Sequence, residues 1–349
     1  MLYHDHWDDV KSRMTQYWLR EPMDRACAAI EVVKPGSGDF WQNHYFDVEK
    51  ADRMHRLRFE NTTVYGEMLT CVFPYFGTAG TAEYTGCKPT YTPRTTWFDP
   101  WMTEEEPDAE RIGYTCPEAF QKQADAVRRL VELSKNDYLV SVTDNAGILD
   151  ALAQIRGNER LLEDMFDYPE FVEEGVRKLL PIYKKTQKEF LDIVRENNEG
   201  SVISWMNLWS PNRMSQLQCD LCVMISNPMF NRFVMPELEE LCSFLEDPVY
   251  HFDGQEQIRH LDSLLSIKNL KAIQWTPVVG QPKTSEFIPV LQKIQKAGKN
   301  LVLTVSTDEV EKILDGLSCR GLFMNIYGIR SHEEAVRMMK LVEKHSKNR

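Results

Sequence analysis

The stretch NLVLTVSTDEVEKIL (300–314) shows the unit from which this chain is built. Its first five residues, 300–304, are mostly apolar and branched, as expected of a short strand that is buried on both faces. A capping box follows, Ser306-x-x-Glu309, in which a hydroxyl and a carboxylate satisfy free backbone amides at a helix start. The pattern predicts a strand that leads directly into a covering helix near 307–316.

The same unit recurs along the chain. Strand 271–275 precedes a helix near 284–297, and the last strand precedes a helix near 332–346 that opens with a second capping box, Ser331-x-x-Glu334. Eight strands with covering helices predict an α/β protein, a closed (β/α)8 TIM barrel, with a doubly wound open sheet as the alternative. The candidate strands are 26–33, 69–75, 138–143, 201–206, 248–252, 271–275, 300–304 and 320–326.

Two segments lie outside this repeating pattern. We assign residues 1–349 to a single barrel domain in which 1–20 form an extra N-terminal helix. The segment 76–117 is rich in glycine, threonine, proline and aromatic residues and has little helical pattern. Long loops of this kind in compact domains are usually lids or binding loops. We therefore expect it to cover the rim that holds the candidate site, with Trp97 or Trp101 near the pocket.

Composition narrows the class of protein. The 349 residues are 42% hydrophobic and 27% charged, with a net charge of -12, which disfavours nucleic acid and anionic membranes as partners. No run approaches the roughly 18 apolar residues of a membrane span, and the first residues do not resemble a secretory signal. The eight cysteines are scattered, which is typical of reduced thiols. These features predict a soluble cytoplasmic protein.

Candidate site residues follow from the barrel prediction, because barrel active sites lie at the carboxyl ends of the strands. Isolated polar groups beside aromatic residues at these ends are what a small-molecule pocket requires. Helix capping is the alternative role for the aspartates, and core packing is the alternative for the tryptophans. The residues selected in this way are Asp144, Asn207, Trp209, His251, Asp253, Trp275 and Tyr327.

His251 and Asp253 are the strongest candidates for chemistry. Side chains alternate along a strand, so both should lie on one side of it and Phe252 on the other. A histidine with a carboxylate suits either zinc binding or general acid–base catalysis. In the alternative arrangement Asp253 caps the following helix and His251 bonds to the backbone.

Several stretches resemble one protein family. YHFDG (250–254) and LTVSTDEVEKIL (303–314) follow DYPEFVEEGVRKLL (167–180) and MISNPMFNRFVMPELEEL (224–241) in the order found in the uroporphyrinogen decarboxylase-like superfamily. The resemblance covers roughly residues 145–345 and implies a (β/α)8 barrel. It is closer to the corrinoid-associated methyltransferase branch than to uroporphyrinogen decarboxylase itself.

The methyltransferases of that superfamily hold zinc through His-x-Cys-Gly and a further cysteine near the last strand. Here the matching residues read His251-Phe252-Asp253-Gly254, and Tyr327 stands near the end of the last strand. The resemblance therefore implies a methyltransferase that acts on a small methylated metabolite or exchanges methyl with a corrinoid protein. Zinc, if bound, would be held by His251, Asp253 and a third ligand from the set Cys219, Asp220 and Tyr327, of which we favour the thiolate of Cys219.

Two alternatives stay open at this point. One is a decarboxylase or lyase without a cofactor, in which His251 is the general acid. The other is a non-catalytic protein that binds a corrinoid or a tetrapyrrole.

Overall fold

The structure is a computed structural model that describes residues 3, 6–35, 44–78, 80–145 and 147–349. Its strands are β1 Cys27–Val33, β2 Thr62–Gly66, β3 Cys71–Val72, β4 Lys88–Tyr91, β5 Thr96–Asp99, β6 Leu139–Val140, β7 Ser201–Ile203, β8 Leu208–Ser210, β9 Met214–Leu217, β10 Asp247–Phe252, β11 Ala272–Trp275, β12 Asn300–Ser306 and β13 Leu322–Tyr327.

The helices lie mainly after the strands that they cover. They are α1 Trp7–Leu19, α2 Val48–Glu60, α3 Gly80–Glu83, α4 Pro117–Ser134, α5 Ile148–Arg156, α6 Asn158–Asp167, α7 Pro169–Asn198, α8 Asn227–Phe233, α9 Met235–Phe244, α10 Leu261–Ser266, α11 Ile288–Lys296, α12 Val310–Gly316 and α13 His332–His345. Short 3-10 helices lie at Ala109–Arg111, Ser204–Met206, Asp220–Met224, Gln255–His260 and Thr284–Phe287. No helix in the described ranges is long and apolar enough to cross a membrane.

A seven-stranded sheet in the order β2-β1-β13-β12-β11-β10-β9 organises the molecule. Every pair in it is parallel except β1 with β2. This confirms the predicted α/β architecture with a parallel sheet, and strands as apolar as β11 and β12 are expected in it because helices cover the outer face.

Closure into a barrel does not follow from the strand pairs. β3 pairs with β6 and β7 with β8, and none of these pairs joins the seven-stranded sheet among the described residues. Between residues that the structure describes, one backbone bond of 3.3 Å, from Val142 N to Val202 O, links the chain after β6 to β7. The sequence predicted strands over 69–75 and 138–143, but only two residues of each adopt paired strand geometry.

Only half of each predicted capping box forms, because Ser331 caps α13 through its hydroxyl, whereas α12 has no side-chain cap and only the carboxylate of Glu309 binds back. Ser331 Oγ accepts the amide of Glu334 at 3.2 Å and starts α13. At the other box, Glu309 Oε2 accepts the amide and the hydroxyl of Ser306, at 2.9 and 2.7 Å. The helix α12 begins only at Val310, three residues later than expected, because Ser306 still belongs to β12.

A buried ion pair joins the amino end of β1 to the end of β2. Arg25 donates to both carboxylate oxygens of Glu67, at 2.9 and 2.7 Å, and both residues are buried. Glu67 also accepts the amide of Ala28 at 2.7 Å. The pair lies at the end of the sheet opposite to the carboxyl ends of the parallel strands, so its role is structural.

We predict that Arg25→Met destabilises the protein by about 3 kcal/mol, the lower end for a broken buried pair, because the Glu67 carboxylate loses its bidentate partner and keeps only Arg13, 3.2 Å away. Denaturant unfolding followed by circular dichroism measures the loss. The matched control is Asp24→Asn, which removes an exposed partner of Arg13 and should cost less than about 1 kcal/mol. Equal losses in the two variants would contradict a structural role for the buried pair.

Candidate functional site

His251 lies near the carboxyl end of β10 and pairs in register with Gln274 of β11, so both side chains point to the same side of the sheet. The ring Nδ1 lies 2.5 Å from Gln274 Oε1 and 3.1 Å from the hydroxyl of Thr276, which itself donates to Gln274 Oε1 at 3.0 Å. Because a carbonyl oxygen only accepts, the proton of the neutral imidazole must sit on Nδ1.

This arrangement leaves Nε2 of His251 with a lone pair. The side chain is half-buried, and Nε2 has no hydrogen-bond partner among the described residues and is not enclosed. The ring of Trp205 stands edge-on to the imidazole, with centroids 5.1 Å apart. A histidine whose one nitrogen is held and whose other is accessible can act as base, acid or ligand. The alternative in which His251 bonds to the backbone is wrong, because its Nδ1 binds the side chains of Gln274 and Thr276.

The opposite side of β10 faces the helices. Tyr250 and Phe252 are buried there, and Phe252 stacks on Trp275 with ring centroids 5.3 Å apart. Trp275 in turn contacts Phe287, 4.7 Å away. This corrects the prediction of Trp275 as a pocket wall, because the residue next to Gln274 in the strand must point away from His251.

Trp209 is likewise not a pocket residue. It lies in β8, where its indole donates to Asn198 O at 2.8 Å and its own carbonyl accepts from Trp18 of α1 at 2.9 Å. The strand that the sequence predicted over 201–206 ends at Ile203, so the aromatic residue that reaches the rim is Trp205 instead.

Asp253 follows β10 and does not cap the next helix. The 3-10 helix that follows has Gly254 at its start and no side-chain cap, and the Asp253 carboxylate has no hydrogen bond among the residues that the structure describes. Asp144 is not a cap either, since α5 starts after Gly147. Its Oδ1 accepts from Gln216 Nε2 at 3.2 Å, so the capping alternatives are wrong for both aspartates.

Two further aspartates, Asp150 and Asp220, lie near Asp144 and Asp253. Asp150 is buried, and its oxygens accept the backbone amides of Asp220 and Leu221 at 2.9 and 3.0 Å. Part of Asp220 reaches solvent, but burial of its carboxyl, followed by the charges of Asp150, Asp253 and Asp144, raises its pKa to about 8. The sequence pattern did not single out Asp150, because it lies inside a helix.

The third zinc ligand predicted from the resemblance is not available. Cys219 is fully buried beside Cys222, and burial raises the pKa of the Cys219 thiol far above its usual range. The sulfur of Cys222 lies 3.9 Å from the hydroxyl of Tyr250, on the face of β10 that His251 does not share. Cys219 therefore lies in the helix layer.

The expected ligands do not form a metal-binding cluster. Within the described residues, the group of three histidine, cysteine or carboxylate donors that lie within 4.8 Å of one another is Glu311, Asp315 and His345, on α12 and α13. His251 and Asp253 belong to no such group. The residues of the candidate site therefore do not fit a zinc ion as a three-ligand set.

Two adjoining cavities open at the same rim. The first, of about 330 Å³, is walled by Trp205, Tyr45 and Tyr75, and the second, of about 470 Å³, reaches Tyr327. Asn207 lines both and donates to Asn325 Oδ1 at 2.7 Å. The predicted residues Asn207 and Tyr327 thus line cavities, although Tyr327 stays more than half exposed.

The sequence did not reveal several lining residues. Glu31 of β1 lies in both cavities and accepts from Arg58 of α2 at 2.7 Å. Gln274 could have been found, since a polar residue in the apolar strand AIQW must face a polar interior. Glu31 and Arg58 meet only through the tertiary fold, and no local pattern marks them.

The segment 76–117 forms a hairpin of β4 and β5 among other elements. The Tyr45 hydroxyl donates toward the carbonyls of Thr92 and Thr95, at 2.5 and 2.9 Å, so the hairpin turn lies beside the first cavity. Trp97 is two-thirds exposed and Trp101 lies beside Arg111, and neither lines the two cavities. The predicted approach of a tryptophan is therefore not seen, and the lid role stays a prediction.

Comparison with known proteins supports the fold. No model of a protein family and no curated protein sequence matches this chain. A solved structure of a methyltransferase from Methanosarcina mazei is similar, with a TM-score of 0.65 and 12% identity, over 96% of this chain and 98% of the other. At that identity the likeness shows a shared fold along nearly the whole chain.

We predict that the neutral imidazole of His251 carries its proton on Nδ1. A built-in control is His260, whose Nε2 lies 2.9 Å from the carbonyl of Cys222 and must therefore be the protonated nitrogen. Two-dimensional 15N NMR of the histidine rings should show the two opposite tautomers. In Gln274→Leu the His251 signals should shift toward a tautomer mixture while those of His260 stay unchanged. A His251 proton on Nε2 in the wild type would contradict the site geometry.

A second prediction concerns pH. The pKa of Asp220 is about 8 in the folded protein against an ordinary 3.8, so its contribution to stability is full at low pH and is lost as pH rises through about 8. Asp220→Asn cannot ionise and escapes this loss. Urea unfolding should show a larger stability advantage of Asp220→Asn over wild type at pH 9 than at pH 5. Exposed Glu256, changed to Gln, serves as control and should show no such trend.

Proposed function

We propose that this protein is a methyltransferase that takes a methyl group from a small methylated substrate bound beside His251. The observation that carries the proposal is His251 itself, with its proton held on Nδ1 and its accessible Nε2 beside Trp205, which walls the first cavity. The fold shared with a methyltransferase over nearly the whole chain supports it. The resemblance of the sequence names the corrinoid of a partner protein as the candidate methyl acceptor.

His251 supplies the proton in this scheme. The acceptor's electron pair forms the new bond to the methyl carbon, and the old carbon–heteroatom pair stays on the heteroatom. The group that carries this heteroatom leaves more easily when it is neutral. The imidazolium of His251 therefore transfers the proton on its Nε2 to the heteroatom. Gln274 and Thr276 keep the ring in one orientation throughout, since they bind Nδ1 in both charge states.

The electrostatics of the site support this proposal over a decarboxylase. Asp253, together with Asp220 once pH rises above its pKa of about 8, disfavours an anionic substrate near His251. Arg58, the cation that lines the first cavity, is paired with Glu31. Since the residues do not fit a three-ligand zinc ion, we derive no step through a metal.

The test is methyl transfer to reduced cobalamin from isotope-labelled methyl ethers, methylamines and methyl thioethers. We expect the wild type to form methylcobalamin from at least one class of donor. His251→Ala should lower the rate by about 10²–10⁴, the usual contribution of a general acid, with little change in the unfolding midpoint. The control is His332→Ala, an exposed histidine on α13, which should keep full activity.

Four results would count against the proposal. One is full activity of His251→Ala, and another is the absence of methyl transfer from every donor class. A loss of stability on the order of 1–3 kcal/mol in His251→Ala without a specific kinetic effect would indicate a structural histidine. Release of carbon dioxide from a panel of small carboxylic acids would favour the lyase alternative.

A further inference from the structure

The second cavity contains a positive charge that is available to a ligand. Arg330, which follows β13, is exposed, lines this cavity and forms no ion pair in the described part of the chain. The carboxylate among the described lining residues is Glu31, and it already accepts from Arg58 at 2.7 Å. Arg58 lines the first cavity and not the second. The charge left over in the second cavity is therefore positive, although the whole chain has a net charge of -12.

The loop that carries Arg330 also has free backbone donors. Gly328 and Ile329 line the same cavity, and their amides donate to no acceptor among the residues that the structure describes. The amide of Arg330 is already used, because it donates to Glu334 Oε2 at 2.8 Å, and Glu334 does not line the cavity. Successive free amides next to a guanidinium group suit an oxyanion, since each N–H can donate to a negatively charged oxygen.

The place of this cavity in the fold is typical of a ligand site. It lies at the carboxyl ends of β1, β13 and β12, which are parallel neighbours in the seven-stranded sheet. Ligands of α/β proteins bind in the crevice outside the carboxyl ends of such strands. Part of the lining is apolar and comes from Val33, Ile326 and Ile329. A molecule with an apolar body and one anionic end therefore matches the lining.

The charge of the site distinguishes a carboxylate from a phosphate. A single guanidinium offsets one negative charge, as a carboxylate carries, whereas a phosphate monoester carries about -1.5 to -2 near pH 7. The carboxylate of Glu334 lies close behind the loop and adds to the cost of a second negative charge. The loop after β13 therefore favours a monoanion.

The second cavity continues into the first. Glu31, Met68 and Asn207 line both of them. The first cavity is in turn walled by Trp205, which stands against His251. A molecule anchored in the second cavity therefore extends past the three shared residues with its uncharged end toward Trp205.

We propose that the second cavity binds the carboxylate of a small organic acid through the guanidinium of Arg330 and the free amides of Gly328 and Ile329. The inference goes beyond the proposed reaction, because the acid is expected to bind whether or not a methyl group is transferred. The carboxylate stays at Arg330 and serves to orient the molecule. Its neutral end enters the first cavity, away from the anion at Arg330.

Direct binding tests this without any turnover. Butyrate and butyramide have the same size and differ in charge, and both are titrated into the full chain near pH 7 and followed by ligand-observed NMR. We expect butyrate to bind at least about tenfold more tightly, because charge-assisted hydrogen bonds are stronger than neutral ones. Added sodium chloride should weaken butyrate and leave butyramide unchanged. In 15N-labelled protein, butyrate should shift the amide signals of Gly328 and Ile329.

Variants locate the binding. Arg330→Gln keeps N–H donors but removes the charge, so it should weaken butyrate about tenfold, to the level of butyramide. Arg330→Lys should restore part of the loss. The matched control is Arg337→Gln, which removes an exposed arginine of α13 that has no ion pair in the described ranges and does not line the cavity. It should bind butyrate as the wild type does, and unfolding curves confirm that each variant is folded.

Three outcomes would overturn the inference. They are equal binding of butyrate and butyramide, an equal loss in Arg337→Gln and Arg330→Gln, or amide signals of Gly328 and Ile329 that do not respond to butyrate. The result is separable from the proposed reaction. Methyl transfer in the assay above without butyrate binding would refute only this site, and butyrate binding without methyl transfer would refute only the reaction.

Discussion

The parallel register of β10 with β11 is the constraint on which the site depends. Pairing His251 with Gln274 puts both on the inner side of the sheet and sends Tyr250, Phe252 and Trp275 into the helix layer. The inner face of the sheet is thus polar and fixes the proton of His251 on Nδ1. The outer face is apolar and packs against the helices. A register shift of one residue would exchange the two faces and remove both the site and the core.

Only part of this site can be predicted from sequence. The polar residue at the strand end, His251, follows from alternation and from the strand-to-helix pattern, and so does Asp253. Trp209 and Trp275 could not be placed correctly, because an aromatic residue near a strand end points inward or outward according to a one-residue difference in register. The prediction of Cys219 as a zinc ligand failed for a different reason. A family resemblance implies which type of residue binds the metal, but it does not show on which face of the sheet this chain places that residue.

The fold shows the same division. The second half is predictable because β12 and β13 are long, and because α13, which follows β13, begins with a side-chain cap. The early strands β3 and β6 keep only two paired residues each, so apolar composition overstates their length. Short strands with few ladder bonds are positioned by the helices and loops that pack on them, which sequence periodicity does not encode.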